Sequence, residues 1–340
     1  MGRLIPTELV NYTCAAGLEP AGWYSARRPP QPRKRPGPMR PRDLLIWSGF
    51  GLLRLLSLPP WPLRLHLGRG LGRLLYHLMP RPRHVARVNL RLVNPELDDQ
   101  AIERRLRRHF VELGVGLFEL GLAWWGRREL LEGMLEVEGW EHIETARADG
   151  RGVILLTPHF TNLELGGRYM AMRLPIVITY KPDKDPLVDR LISANRRALK
   201  TRADQDLLPA DDVRGMLRLL RRGGVIWYAP DINYKGKERV FTDFFGVPAA
   251  TAPHPAKIAA HGNARMVPYV LVRRKGGGYR LVIDPPLEDF PTGDAVVDTQ
   301  RMNQALEALV ARCPDSYLWI MRRFLTRPNP VADPYRKGTL

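Results

Sequence analysis

From about residue 135 onward the chain is punctuated by short, apolar runs rich in β-branched and aromatic residues. They are Val153-Ile154-Leu155-Leu156, Ile176-Val177-Ile178-Thr179, Val225-Ile226-Trp227-Tyr228, Val267-Pro268-Tyr269-Val270-Leu271-Val272 and Tyr279-Arg280-Leu281-Val282-Ile283. A strand that is apolar on both sides has to be covered on both sides, which is the mark of a mainly parallel sheet with helices above and below. Helical segments near 163–172, 187–199, 211–222, 253–261 and 298–312 separate most of these runs. The last two runs meet around Gly276-Gly277-Gly278 and predict a hairpin. The expected fold is therefore α/β, a mainly parallel central sheet flanked by helices, with no internal repeat.

Ahead of this region, Ile102, Leu106, Phe110, Leu113, Leu117 and Leu120 recur at helical spacing and predict a long helix over Asp98 to Trp125. Its later half, Gly114 to Trp125, is apolar nearly all round and should be buried or touch lipid. Further upstream, residues 44–58 form an apolar stretch closed by Pro59-Pro60-Trp61-Pro62. This is shorter than the roughly 20 residues of a full membrane span, and it contains Arg54. A membrane-associated helix over 43–65, lying on or dipping into one leaflet, is the expectation, with a buried core helix as the alternative. Arginines stand on both sides (Arg40 and Arg42 before; Arg64, Arg69 and Arg73 after), so charge gives no orientation. Residues 1–42 are basic and proline-rich and are expected to be a disordered tail. The main domain is expected over 66–330, with a helical part at 66–134 and a short tail at 331–340.

In 340 residues, 53 basic side chains against 35 acidic ones leave a formal net charge of +18. A surplus of that size fits a polyanionic partner: nucleic acid, an anionic membrane or an acidic protein. An arginine-rich proteome would produce the same excess. Of the two cysteines, Cys14 and Cys313, neither sits in a CxxC or Cys/His cluster, so zinc and a disulfide framework are not expected. The chain reads as resident on the reducing side of a membrane.

For chemistry, subtraction comes first. The chain has no GxSxG elbow, no GxxxxGK[ST] loop, no HExxH and no GxGxxG between a strand and a helix. Gly68-Arg69-Gly70-Leu71-Gly72 follows no strand and is discounted as a phosphate loop. Without a placed serine or cysteine nucleophile, direct transfer to a bound acceptor is favoured over a covalent acyl intermediate. The positive signal is Thr157-Pro158-His159-Phe160-Thr161-Asn162-Leu163-Glu164-Leu165-Gly166-Gly167-Arg168. A histidine followed five residues later by an acid is a weak motif alone. Its placement strengthens it: His159 stands at the carboxyl end of a buried strand, where open α/β sheets bind ligands. Glu164 falls in the first turn of the following helix, and a loop between them can bring its carboxylate back to the imidazole. A histidine titrating near neutrality can take a proton from an attacking hydroxyl, and a carboxylate on its other nitrogen would fix its tautomer. A packed histidine closing a strand is the plainer reading.

Four more sites are candidates for substrate binding. Arg168 lies one helical turn past Glu164, to bind a phosphate or to pair with Glu164. Lys181, in Tyr180-Lys181-Pro182, supplies a cation at the same sheet edge. Asp231, in Ala229-Pro230-Asp231, closes another strand and could position a sugar hydroxyl or a helper arginine, or serve as a turn residue. The segment Tyr317-Leu318-Trp319-Ile320-Met321-Arg322-Arg323-Phe324 brings Arg322 and Arg323, either to an acyl or phosphate site or to a core-packing end.

Taken in order, His159 to Arg168, Tyr180-Lys181-Pro182, Trp227-Tyr228-Ala229-Pro230-Asp231 and Tyr317 to Phe324 resemble the lipid A biosynthesis acyltransferases. These are the late lauroyl and myristoyl transferases of the lysophospholipid acyltransferase superfamily. The resemblance runs from about residue 43 to 330. The Leu-Glu-Leu-Gly-Gly-Arg context looks closer to the branch that adds the first secondary acyl chain. The resemblance implies an enzyme of the bacterial inner membrane with its site facing the cytoplasm. Acyl carrier protein would deliver the acyl chain, and a Kdo-bearing tetra-acylated lipid A precursor would accept it. It further implies His159 as general base, Glu164 as its partner, and neither a metal nor an organic cofactor. Family members often carry arginine where Lys181 stands. Other lipid acceptors (a lysophospholipid, an ornithine lipid or a mannosylated glycolipid) would fit the same chemistry. A basic, membrane-tethered nucleic-acid-binding protein would leave the strand-end histidine unexplained, so nucleic acid is not expected as a partner.

Overall fold

The computed structural model describes residues 40–198, 207–275, 277–328 and 333–336. The expected disordered tail therefore lies outside the described residues, apart from residues 40–42, of which Pro41 and Arg42 are already helical. Of the tail expected at 331–340, only 333–336 are described, and Gly276 of the expected hairpin turn is not.

Four helices come first: α1 (Pro41–Leu56), α2 (Trp61–Leu78), α3 (Pro80–Val93) and α4 (Asp99–Trp125). Each of the first three has proline at one of its first two positions, where the missing N–H costs nothing. Asp98 caps α4 by accepting the Ala101 N–H at 2.6 Å. The short α5 (Arg128–Glu132) and β1 (Leu135–Glu138) lead into α6 (Trp140–Ala148) and then the alternating region. That region comprises β2 (Gly152–Leu156), α7 (Leu163–Ala171), β3 (Ile176–Tyr180), α8 (Pro186–Ala198), β4 (Leu208–Pro209), α9 (Val213–Leu220) and β5 (Val225–Tyr228). It continues through β6 (Val240–Phe244), β7 (Val247–Thr251), α10 (His254–Gly262), β8 (Ala264–Arg273), β9 (Tyr279–Ile283) and α11 (Ala295–Arg312).

Seven strands form one sheet in the order β1-β9-β8-β2-β5-β3-β4, while β6 and β7 make a separate antiparallel ribbon. Every neighbouring pair in the large sheet is parallel except the β8–β9 hairpin. The all-apolar composition of β2 follows from its place in the interior of this sheet. Ile154 and Leu156 point into one hydrophobic core and Val153 and Leu155 into the other, so both sides of the strand are covered. β5 divides in the same way, with Ile226 on one side and Val225 and Trp227 on the other.

The glycine-rich stretch set aside as a phosphate loop lies inside α2 and serves packing. A Cβ on Gly72 would collide with the Phe110 carbonyl, and one on Gly114 would strike the Gly72 backbone, so α2 and α4 cross with their backbones in contact. On its other side α4 is tied to the hairpin by a buried ionic knot. Arg273 donates to Glu119 at 2.8 and 2.9 Å and also binds Glu112, while the Tyr279 hydroxyl donates to Glu119 at 2.8 Å.

The expected anchor at 43–65 resolves into α1 and the first turn of α2, with a break across Ser57–Pro60. Among the described residues no helix is long and apolar enough to cross a membrane. Nevertheless α1 buries no residue. Leu44, Leu45, Leu52 and Leu55 are all more than half exposed, Leu45 at 76 %.

Candidate active site

The sheet order puts the carboxyl ends of β2, β5 and β3 side by side, and the candidate residues gather there. The β2 ladder ends where Thr157 donates to the Tyr228 carbonyl at 3.2 Å, because Pro158 has no N–H to continue it. The chain then turns into the loop bearing His159. Both backbone polar groups of His159 are engaged: its N–H donates to Asp231 Oδ2 at 2.9 Å, and its carbonyl accepts from the Leu318 N–H at 2.9 Å. Phe160 forms a β-bridge with Tyr317, and Thr161 donates to the Ser316 carbonyl at 2.8 Å. Gly116 of α4 lets this loop come close, since a Cβ there would lie 2.7 Å from the Thr161 carbonyl oxygen.

With the backbone fixed, the imidazole has one partner for Nδ1: Asp231 Oδ1, at 2.6 Å. Asp231 has no exposed side-chain surface, whereas the His159 side chain is 26 % exposed. A carboxylate on Nδ1 puts the proton on that nitrogen and leaves Nε2 as the basic one. Burial disfavours the charged imidazole, but the Asp231 charge and hydrogen bond outweigh it and raise the His159 pKa above the ordinary value. Burial pushes Asp231 the opposite way, and the imidazole and its backbone N–H overcome this, holding the carboxyl below the usual range.

Glu164 lies elsewhere in the same region. Its carboxylate accepts from Arg196 of α8, with Nε at 3.1 and 3.3 Å and Nη2 completing a two-pronged contact, and from the Trp124 indole N–H at 3.3 Å. The partner expected for His159 is thus bound to Arg196, and the described hydrogen bonds give that position to Asp231. A turn beyond Glu164, Arg168 is half-buried with Arg128 nearby. Lys181 is exposed at the rim of the cleft. Arg322 is exposed and lies over the Tyr335 ring at 5.6 Å. Of the two expectations for Arg323, a substrate contact or a core-packing end, the second holds: it is buried and donates to the carbonyls of Ile232 (3.2 Å) and Ala250 (2.9 Å) and to Thr251 Oγ1 (2.7 Å). Its guanidinium fastens the residue following Asp231 to β7.

A cleft of about 470 Å³ opens beside these groups, lined by His159, Lys181, Arg196, Trp227, Tyr234 and His254 among others. A smaller recess of about 200 Å³, walled by Leu113, Leu117, Leu120, Phe160, Leu163 and Leu318, adjoins it, and Leu163 borders both. Arg196 and Trp124 were not singled out in the sequence. One lies among the arginines of α8 and the other in the apolar end of α4, and only the packing of α4, α7 and α8 brings them to Glu164.

A buried carboxylate thus holds a partly exposed strand-end imidazole beside a cleft. The sequence profile of the bacterial lipid A biosynthesis acyltransferases matches residues 32–326. The chain is 36 % identical over 299 residues to the lipid A biosynthesis lauroyltransferase of Escherichia coli (strain K12), covering 87 % of this chain and 96 % of that protein. It is 33 % identical over 292 residues to the lipid A biosynthesis palmitoleoyltransferase of the same organism (85 % and 94 % covered). Identity to that organism's lipid A biosynthesis myristoyltransferase is 25 % over 303 residues (88 % and 93 % covered). The chain belongs to the bacterial lipid A biosynthesis acyltransferase family.

Proposed function

We propose that the chain transfers a fatty acyl group from the thioester of acyl-acyl carrier protein to a hydroxyl of a Kdo-bearing tetra-acylated lipid A precursor. The reading locates this reaction at the cytoplasmic face of the bacterial inner membrane. The observation that carries it is the 2.6 Å contact between His159 Nδ1 and the buried Asp231 carboxylate. His159 Nε2 takes the proton of the acceptor hydroxyl as the oxygen attacks the thioester carbonyl, and Asp231 stabilises the imidazolium formed. Collapse of the tetrahedral adduct breaks the C–S bond, and the imidazolium returns the proton to the departing thiolate. Glu164 serves by holding Arg196 in the cleft wall, and Arg196 and Lys181 supply the cations for anionic substrate groups. Arg168 and Arg322 stand further out as candidate contacts for the acceptor's phosphates. The apolar recess beside Leu163 has the lining an acyl chain would need. Exposed leucines on α1 and α2, rimmed by Arg40, Arg42, Arg69 and Arg73, suit a helix pair lying on an anionic bilayer.

The test is an acyl-transfer assay on detergent-solubilised protein. Acyl carrier protein thioesters of several lengths are the donors, and tetra-acylated Kdo-lipid A precursor is the acceptor. Wild type is expected to give a penta-acylated product, and His159→Ala, Asp231→Asn and Glu164→Gln to lose most or all of it. Substantial turnover by folded His159→Ala would sink the mechanism. Product only with another lipid acceptor would keep the chemistry and change the substrate.

A further inference from the structure

Trp124 stands where the reaction site meets the most exposed helix. Its indole N–H donates to Glu164 Oε2 at 3.3 Å. The face of the same ring stacks on Phe50 of α1, with centroids 5.8 Å apart and planes 7° from parallel. α1 has few other attachments. Phe50 and Leu53 pack against the core, Arg54 lies over the Trp125 ring at 5.2 Å, Ser57 sits against Gly121, and Arg42 pairs with Asp185 just ahead of α8. The helix therefore turns Leu44, Leu45, Leu52 and Leu55 outward and sets Phe50 against the residue that binds Glu164.

From this geometry we infer that Trp124 is a positioning residue for acyl transfer, and that the Phe50 stack makes its position depend on how α1 is seated. The inference rests on the reading that Glu164 and Arg196 serve the reaction. Glu164 and Arg196 both sit on flexible stems, and a two-pronged contact between them fixes their mutual orientation but not their location. The third bond comes from a rigid ring on α4 that is only 8 % exposed, and it ties the pair to the body of the protein. α1, which buries little, is an element of low local stability whose order depends on what covers its outer face. An apolar surface beneath α1 thus favours the Phe50–Trp124 stack, and through it the placement of Glu164 and Arg196.

The experiment measures kcat and KM for the thioester donor in detergent micelles with the full chain, beginning with Glu164→Gln. Trp124→Phe keeps a ring for the stack and removes the donor. Its kcat is expected to fall about tenfold, the effect of losing one hydrogen bond to a charged group, with KM and the melting midpoint close to wild type. Phe50→Ala is expected to lower kcat comparably, and the double variant to be no slower than the slower single one, because both changes interrupt one chain of contacts. If Phe50→Ala does not fold, Phe50→Leu keeps the bulk and loses the stack. A kcat for Trp124→Phe within twofold of wild type overturns the inference, as does full additivity in the double variant. Wild-type turnover by Glu164→Gln overturns the site reading itself. Loss of turnover in Glu164→Gln beside normal turnover in Trp124→Phe overturns only the positioning role.

Discussion

An imidazole that must accept a proton works only while neutral, so the charge of Asp231 both helps and limits His159. In the proposed mechanism it favours the imidazolium formed during attack, and it raises the pH at which the imidazole is free of its proton. The acid limb of a kcat/KM profile should therefore lie above the ordinary histidine value, with activity lost as pH falls through it. Asp231→Asn removes the charge, so this limb should move to lower pH. The plateau should fall on the order of 10³-fold, because the asparagine cannot stabilise the imidazolium. A profile unmoved by Asp231→Asn would exclude the pair as the base. His159 and Asp231 were each legible in the sequence as residues closing apolar strands, but their partnership was not. It depends on β2 and β5 being neighbours in the sheet, and no local pattern states strand order. Glu164, five residues from His159, looked the better partner only because the chain was read in one dimension.

At the level of elements, α4 concentrates what the α/β pattern left unsaid. The apolar runs announced β2, β3, β5, β8 and β9 because interior strands carry few polar positions to obscure them, Arg280 of β9 being one. β1, whose Glu136 and Glu138 alternate with Leu135 and Val137 at a sheet edge, was not singled out, nor was arginine-rich α3. α4 was legible as a helix, but its crossing with α2 was not, since glycine in a helix reads as weakness until a second backbone is found against it. Gly72→Val should therefore cost about 3 kcal/mol or more, as over-packing against backbone that cannot yield. Thermal unfolding checks this, and a midpoint within a degree of wild type would show that the helices can separate freely. α4 also buries His109, whose Nδ1 meets the Asp315 carbonyl at 3.0 Å. Burial depresses its pKa to about 4 from the ordinary 6.5, despite opposing contributions from that carbonyl and Glu112. The unfolded chain then binds a proton that the folded one refuses, so stability drains away as pH falls from about 6.5 toward 4. The loss is on the order of 3 kcal/mol. His109→Gln should flatten that part of the urea-midpoint curve relative to wild type, a comparison in which the other titrating groups cancel. Parallel curves would mean that His109 protonates as readily folded as unfolded.

For the molecule as a whole, the described residues from Arg40 onward form one compact unit, with the exposed leucines of α1 on its surface and the His159 cleft at the carboxyl edge of its sheet. Burying a leucine side chain contributes about 1.5–3 kcal/mol. Replacing Leu45, Leu52 and Leu55 together with serine should thus weaken binding to anionic vesicles about a hundredfold or more, while His159→Ala binds like wild type. Co-sedimentation reads this out, and unchanged binding of the triple variant would move the membrane contact off α1. The hydropathy of 44–58 marked this region in the sequence. Its division into two helices was signalled by the prolines at 59, 60 and 62, which were read as closing the apolar stretch while a single anchor was still drawn over 43–65.

The bridge between Phe160 and Tyr317 has a consequence in time. A ribosome makes α1 about 260 residues before it makes Ser316, Tyr317 and Leu318, which pin the His159 loop, and Arg323, which secures Ile232. At about 5–20 residues per second that interval is roughly tens of seconds. On the proposed membrane role of α1, a nascent chain can therefore settle on a bilayer while His159 is still unsupported. Catalytic competence comes with the last stretch of translation, so a chain cut short after Arg312 should reach the membrane and remain inert there.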